Sequence, residues 1–179
     1  MPGNTFINFG TAIRVGESLQ KNRPGTKGWI EINDWSWDIE AEHSNLKGSG
    51  AAVGKPTPGT LNFTHNFDTA STAIMTNIVV GKSFPSVCID MLKQTGGEAT
   101  EQYFQIWMTD VYITKVSTKG SEDGSVTQDV DMVFKEVAVG YKAQKNDGKL
   151  DTMIPFGWSI TKMNAQPEKA IIGFDKEPT

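Results

Sequence analysis

The chain has 179 residues, a mass of 19.6 kDa, a net charge of −4 and a pI near 5.2. Hydrophobic residues make up 37% of it, which is enough for one folded domain with a core. The acidic balance excludes the basic footprint of a dedicated nucleic-acid-binding protein. A single cysteine, Cys88, excludes an intrachain disulfide framework and a cysteine-rich zinc site.

The start of the chain and its apolar runs bear on localisation. No basic stretch followed by an apolar one occurs in residues 1–10, so no signal peptide is predicted. The longest uncharged apolar run, residues 73–81, is too short to span a bilayer. We therefore expect a protein that is made in the cytoplasm, does not insert into membranes, and leaves the cell, if it does, without a standard export signal.

Glycines separate stretches rich in valine, isoleucine, threonine and aromatic residues, which is typical of strands joined by turns. The predicted loops and turns are residues 17–28, 42–59, 94–100, 119–124 and 146–157. The predicted strands are residues 4–9, 29–40, 60–65, 84–93, 102–117, 125–141 and 158–163.

One helix is predicted, over residues 69–80. Asp68 precedes it, and its carboxylate can accept the free amides of the first turn. Gly81 follows it and suits the left-handed position that ends a helix. One face of this segment is apolar at helical spacing, with Ala70, Ala73, Ile74 and Ile78.

Three long predicted strands change the parity of their apolar residues partway along. The changes fall between Ile32 and Trp35, between Met108 and Val111, and between Phe134 and Val137. Because a strand alternates faces with period two, each change needs a bulge or a new buried face. We predict a mainly β fold, a closed or split barrel with one helix on its side; a β-sandwich is the alternative. Residues 1–165 form the domain, and residues 166–179 are predicted to be a flexible tail.

Residues with catalytic chemistry do not form a recognised constellation. The segment 49–55 fails as a phosphate loop, because Ser49 replaces the first glycine and Pro56 follows Lys55. His43 lies near Glu40 and Glu42 but has no second histidine nearby, so we predict no metal site. Cys88 is interpreted as a packing residue. We therefore expect no enzyme activity, no cofactor and no metal.

Aromatic and acidic residues suggest surfaces instead. Asp129 and Asp131 alternate on one strand face, which fits a solvated outer or lumenal surface. Four of the five tryptophans lie on two long predicted strands, three of them with one parity on the second strand. They indicate a core or a subunit interface, with a stacking platform for sugars or bases as the alternative: Trp29, Trp35, Trp37 and Trp107.

The order and spacing of several segments, rather than any single motif, indicate a family resemblance. They are residues 16–18 (GES), 29–38 (WIEINDWSWD), 61–73 (LNFTHNFDTASTA), 81–84 (GKSF), 91–97 (MLKQTGG), 103–116, 126–141 and 157–165 (GWSITKMNA). Together they resemble the haemolysin-coregulated protein (Hcp, TssD) family of bacterial type VI secretion systems. The resemblance covers residues 4–165, with Thr72 standing where many members have proline.

The resemblance implies a phage tail-tube-like β-barrel that assembles into hexameric rings. Such rings stack into an inner tube, which a contractile sheath drives out of the cell with a spike protein at its tip and effectors in its lumen. The implied partners are therefore the chain itself, sheath and spike proteins, and effector proteins. A phage tail tube protein and a monomeric ligand-binding β-domain are the alternatives.

The glycine-rich segment 42–59 is the candidate site for ring stacking. It has few residues able to anchor a core, and long loops of this kind are usually functional or disordered. We predict that it is poorly ordered in a free ring and becomes ordered on the next ring, with Leu46 and Val53 as apolar anchors. A mobile solvent loop is the alternative. The candidate stacking residues are Leu46, Gly48, Gly50, Val53 and Lys55.

Overall fold

The computed structural model describes residues 4–43, 53–96, 100–162, 164, 165, 178 and 179. This part contains one α-helix, α1 (Ser71–Val80), and short 3-10 turns at Gly10–Ala12 and Gly25–Lys27. Its strands are β1 (Thr5–Asn8), β2 (Leu19–Gln20), β3 (Arg23–Pro24), β4 (Ile30–Glu31), β5 (Asp34–Ser36), β6 (Ile39–His43), β7 (Val53–Pro58), β8 (Leu61–Asn66), β9 (Phe84–Gln94), β10 (Thr100–Gly120), β11 (Val126–Val133), β12 (Glu136–Tyr141), β13 (Ile154–Ser159) and β14 (Asn164–Ala165).

Ten strands form one bent sheet in two parts. The first sheet contains β1, β4, β9, β12, β13, β14 and the first half of β10; the second contains β5, β8, β11 and the second half of β10. β10 joins them, because it pairs with β12 up to Thr109 and with β9 up to Val111, and then with β11 from Tyr112. Among the described residues β5 and β14 do not pair with each other, so the barrel is split. The predicted fold class is confirmed.

The three parity changes mark the places where the chain passes between the two sheets. The predicted strand 29–40 is divided, since β4 pairs with β1 in the first sheet and β5 with β8 in the second. β10 crosses at Asp110, which has a positive φ of 52°. The predicted strand 125–141 divides into β11 and β12, and Lys135 N–H donates to Thr109 O at 3.1 Å across the break. Apolar alternation therefore located the corners of the barrel.

The last predicted strand was misplaced. Residues 158–163 were expected to form it, but β13 covers Ile154–Ser159 and pairs with β12 along its whole length. Ile154, Phe156 and Trp158 alternate with Pro155, Gly157 and Ser159, but the proline and the glycine weaken the strand signal of this edge strand.

Two layers of apolar packing hold the fold together. The main core lies between the sheets and includes Ile7, Phe63, Ile89, Met108 and Val130, among others. The other face of the first sheet is also covered, because the chain between β1 and β4 folds over it. Buried side chains of this outer layer are Phe6, Trp29, Cys88, Leu92, Trp107 and Ala138. Cys88 is thus a buried packing residue.

Helix α1 begins two residues later than predicted and ends as predicted. Asp68 Oδ1 accepts the Ala70 N–H at 2.9 Å, and Ser71 Oγ accepts the Asp68 N–H at 2.9 Å. Gly81 has a φ of 71° and donates its N–H to Asn77 O at 2.9 Å, which closes the helix. No helix in the described ranges is long and apolar enough to cross a membrane.

Candidate assembly surfaces

The segment expected to be an unstructured loop is in part a β-hairpin. β6 and β7 pair antiparallel with each other and with neither large sheet, from Ile39 opposite Pro58 to His43 opposite Val53. We call this hairpin with residues 44–52 the arm. Pro56 and Pro58 of β7 are two residues apart, so their backbone nitrogens point to the same edge of the hairpin. On the outer edge no partner strand needs an N–H, so both prolines are tolerated. The expectation of an unstructured segment was therefore wrong for residues 53–58.

The base of the arm is tightly closed. Trp37 Nε1 donates to Gly59 O at 3.2 Å, and Gly59 N–H donates to Asp38 O at 2.8 Å. A Cβ at Gly59 would lie 1.8 Å from Asp38 Oδ1, so a larger residue there would have to displace the Asp38 side chain. These contacts fix where the arm leaves the barrel.

The candidate stacking residues all belong to the arm. Leu46, Gly48 and Gly50 lie outside the described residues, and only the backbone of Val53 and Lys55 is described. The role of all five in ring stacking stays a prediction. The side chains of Glu42 and His43 also lie outside the described part. Among the described residues, no three His, Cys, Asp or Glu side chains are grouped to hold a metal ion.

An apolar surface lines the split of the barrel. Trp35 stacks on Phe104 with ring centroids 5.5 Å apart and planes at 18°. The register places Phe104 beside Tyr141 and Ile154, and Val139 beside Phe156. Ile154 is 64% exposed, and Tyr141 and Phe156 are also exposed. We call these six residues the seam: Trp35, Phe104, Val139, Tyr141, Ile154 and Phe156.

The edge beside the seam has free backbone groups. β14 pairs only with Trp158 and Ser159, so Ile154–Gly157 have no neighbouring strand on that side within the described ranges. An exposed edge next to an apolar surface is typical of a contact with another chain.

A second apolar surface lies on α1. The helix has no charged residue, and Val79 is 85% exposed while Met75 and Val80 are also exposed. Val80 and Val15 line an open groove of about 570 Å³. We call Val15, Met75, Val79 and Val80 the helix face.

The outer face of the second sheet is mostly polar, with the exposed apolar pair Tyr112 and Val133 at one end. Neighbouring positions interact across the strands: Asn62 Nδ2 donates to Asp131 Oδ1 at 2.7 Å, and Thr64 Oγ1 donates to Asp129 Oδ1. The register places all of these side chains on one face, which we call the ladder face. Its members are Asp34, Ser36, Asn62, Thr64, Asn66, Lys115, Ser117, Lys119, Thr127, Asp129 and Asp131, all exposed or half-exposed.

Sequence reasoning found part of these surfaces. The alternation of Asp129 and Asp131 indicated the ladder face. The shared parity of Trp29 and Trp35 was misleading, because the strand breaks between them and Trp29 is buried in the outer layer. The seam was missed, since it depends on β12 and β13 lying beside β10, a pairing that no local pattern specifies.

Comparison with known proteins identifies the family. Residues 6–141 match the family model described as "Type VI secretion system effector, Hcp". The chain belongs to the Hcp family. It is 31% identical to protein hcp1 of Pseudomonas aeruginosa over 168 residues, which cover 93% of this chain and 99% of that relative. Hcp is a structural secretion-system protein and not a known enzyme family.

Solved structures support this assignment. The fold is similar to that of a type six secretion system protein, with a TM-score of 0.81 at 25% identity, covering 90% of this chain and 98% of the other. It is also similar to Hcp1 from Salmonella typhimurium, with a TM-score of 0.72 at 25% identity and coverage of 93% and 100%. The predicted family is confirmed.

Proposed function

We propose that this Hcp chain is the structural subunit of a type VI inner tube. Six chains close into a ring, rings stack into a tube, and sheath contraction exports the tube with a spike protein at its tip and effector proteins in its lumen. The chain leaves the bacterial cytoplasm without a signal peptide. Its role is mechanical and involves no catalysis and no cofactor.

The division of the exposed surface into apolar and polar faces carries this proposal. A ring needs head-to-tail contacts, in which two different patches of each chain meet. The seam and the helix face are two such patches, on different elements and rich in exposed apolar side chains. The ladder face is polar and exposed, which suits the wall of a water-filled pore. Buried contacts of the first two faces would close the ring and leave the third facing the lumen.

A charge placed in the seam tests the assembly. We expect Ile154→Asp to fold but to lose the hexamer, because an exposed apolar edge side chain becomes a charge that must be desolvated in the contact. Native mass spectrometry reports particles of six 19.6 kDa chains or of one. Val79→Asp tests the helix face in the same way.

The matched control is Thr118→Asp, which adds the same charge at an exposed position of β10 outside all three surfaces. We expect it to remain hexameric. Full hexamer formation by both Ile154→Asp and Val79→Asp would refute the ring contacts. A parent chain that is monomeric at tens of micromolar and binds a sugar saturably would favour the ligand-binding alternative.

A further inference from the structure

Residues 178 and 179 lie on the barrel beside Gly10 and Ser86. Pro178 is buried. Thr179 N–H donates to Ser86 Oγ at 3.0 Å, and the two hydroxyl oxygens of these residues are 3.5 Å apart. Ser86 is itself 5% exposed, so this hydrogen bond replaces water at a buried group.

Gly10 provides the space for this segment. A Cβ on Gly10 would lie 2.5 Å from Thr179 O and 3.1 Å from Pro178 O. Asn8 holds the glycine in place, since its Oδ1 accepts the Gly10 N–H at 2.8 Å and its Nδ2 donates to Lys27 O at 3.0 Å. We call Asn8, Gly10 and Ser86 the seat.

The chemistry of the seat matches a proline followed by a residue with a free N–H. Pro178 has no N–H, so its burial leaves no donor without an acceptor. The next residue does have an N–H, and Ser86 Oγ stands where that donor needs an acceptor. The backbone approaches closest at Gly10, where no side chain intervenes.

We propose that the seat is a peptide-binding site of this protein, which the Pro178–Thr179 segment of the same chain fills. Of the residues described in this part of the chain, β14 pairs with β13 and the seat holds residues 178 and 179. Filling the seat also adds Pro178 to the wall of a 250 Å³ cavity beside Arg14 and Lys27. This inference does not depend on ring assembly.

The chain between Ala165 and Pro178 is long enough to reach either the seat of the same chain or the seat of a neighbouring subunit. Thirteen residue steps separate Ala165 from Pro178 and span at most about 43 Å at 3.3 Å per residue. That reach exceeds the radius of gyration of a domain of this size, about 16 Å, so a neighbouring subunit lies within it. The segment occupies its own seat here, and a short tether gives a high effective concentration for that seat.

A disulfide trap tests the proposal. In a Cys88→Ala background, Ser86→Cys combined with Thr179→Cys should form a disulfide within one chain, because the replaced hydroxyls are 3.5 Å apart. Non-reducing electrophoresis should show a monomer, and maleimide labelling should find no free thiol until reductant is added. Cross-linked dimers and larger ladders would overturn binding within the chain, and two free thiols would overturn the seat itself.

The matched control places the second cysteine elsewhere. Ser86→Cys with Ser121→Cys should keep both thiols free, because Ser121 follows the end of β10, twelve residues beyond Thr109, the partner of Ser86 in the ladder. A second test needs no cysteines. Ser86→Ala should lower the urea midpoint of the full chain but not that of a chain lacking residues 178 and 179. Equal losses in both chains would overturn the proposal.

Discussion

Arg23 and Asp90 form an ion pair under the outer layer, with Nε and Oδ2 2.7 Å apart and side chains 6% and 0% exposed. Gln105 Nε2 donates to the other Asp90 oxygen at 2.9 Å, and Arg23 Nη2 donates to Gln102 Oε1 at 2.8 Å. The guanidinium also lies over the Trp29 ring, 5.0 Å from its centroid. This network fastens β3 to β9 and so holds the covering segment on the first sheet.

Removing one partner of this ion pair should strongly destabilise the folded chain. We expect Arg23→Met to lower the free energy of unfolding by about 3–5 kcal/mol, because it leaves the Asp90 charge buried without its ion-pair partner. Urea denaturation at one fixed protein concentration measures the loss. The double variant Arg23→Met, Asp90→Leu should lose less than the single variant. A single variant as stable as the parent would contradict this account.

Asp68 gives the helix start a pH dependence. Burial raises the pKa of its carboxyl above the usual 3.8, against the positive field of His65 and the hydrogen bonds from Ala70 and Ser71, while Glu17 raises it further. The folded chain therefore binds this proton more tightly than the unfolded chain does. This contribution to stability is present below pH 3.8 and is lost as the pH rises through the folded pKa.

The substitution Asp68→Asn separates the effect of the carboxylate charge on stability from the effect of the helix cap. Asp68→Asn keeps an oxygen that accepts the Ala70 N–H but carries no charge. We expect its stability to fall less than that of the parent as the pH rises through that window, measured by thermal unfolding at several pH values. Asp68→Ala should be about 1 kcal/mol less stable than Asp68→Asn at every pH, because neither variant titrates at this position and only the alanine loses the cap. Identical pH profiles for Asp68→Asn and the parent would contradict the burial argument.

At the scale of elements, the arm can be shortened without touching its strands. His43 pairs with Val53, so residues 44–52 can be replaced by Asn-Gly, a two-residue turn that matches the twist of a hairpin. We expect this variant to form rings but not tubes, because the chain that would dock on the next ring is gone. Electron microscopy of concentrated protein checks tubes, and native mass spectrometry checks rings.

The control for the shortened arm keeps the length and removes the apolar anchors. Leu46→Ser with Val53→Thr retains nine linking residues and the strand propensity at position 53. Tube loss in this variant as well would assign docking to the two apolar side chains. Normal tubes and secretion from the shortened arm would leave it with no role in stacking.

The sequence predicted elements whose residues carry a local signal. Apolar parity located the barrel corners, since a corner changes which side chains face the core. Asp68 and Gly81 marked the helix ends through backbone needs that only a few residue types satisfy. β13 was misplaced because Pro155 and Gly157 weaken its strand signal, and the seam was missed because no local pattern specifies that β12 and β13 lie beside β10. The seat was missed because it joins Gly10, Ser86 and Thr179, which are far apart in sequence.

At the scale of the whole molecule, net charge should control how rings stack. Each chain carries −4, so a ring of six carries −24. Two such rings repel each other, and salt screens the repulsion over a Debye length that falls from about 8 Å at physiological ionic strength to about 3 Å at 1 M. We expect tubes to lengthen as sodium chloride is raised, measured by sedimentation and electron microscopy at constant protein concentration. Chloride is the suitable anion because sulfate also strengthens apolar burial.

Asp34→Asn with Asp129→Asn halves the charge of the ring to −12 and should make tube length less sensitive to salt. Tubes that shorten with added salt would instead mean that attractive ion pairs between rings dominate stacking.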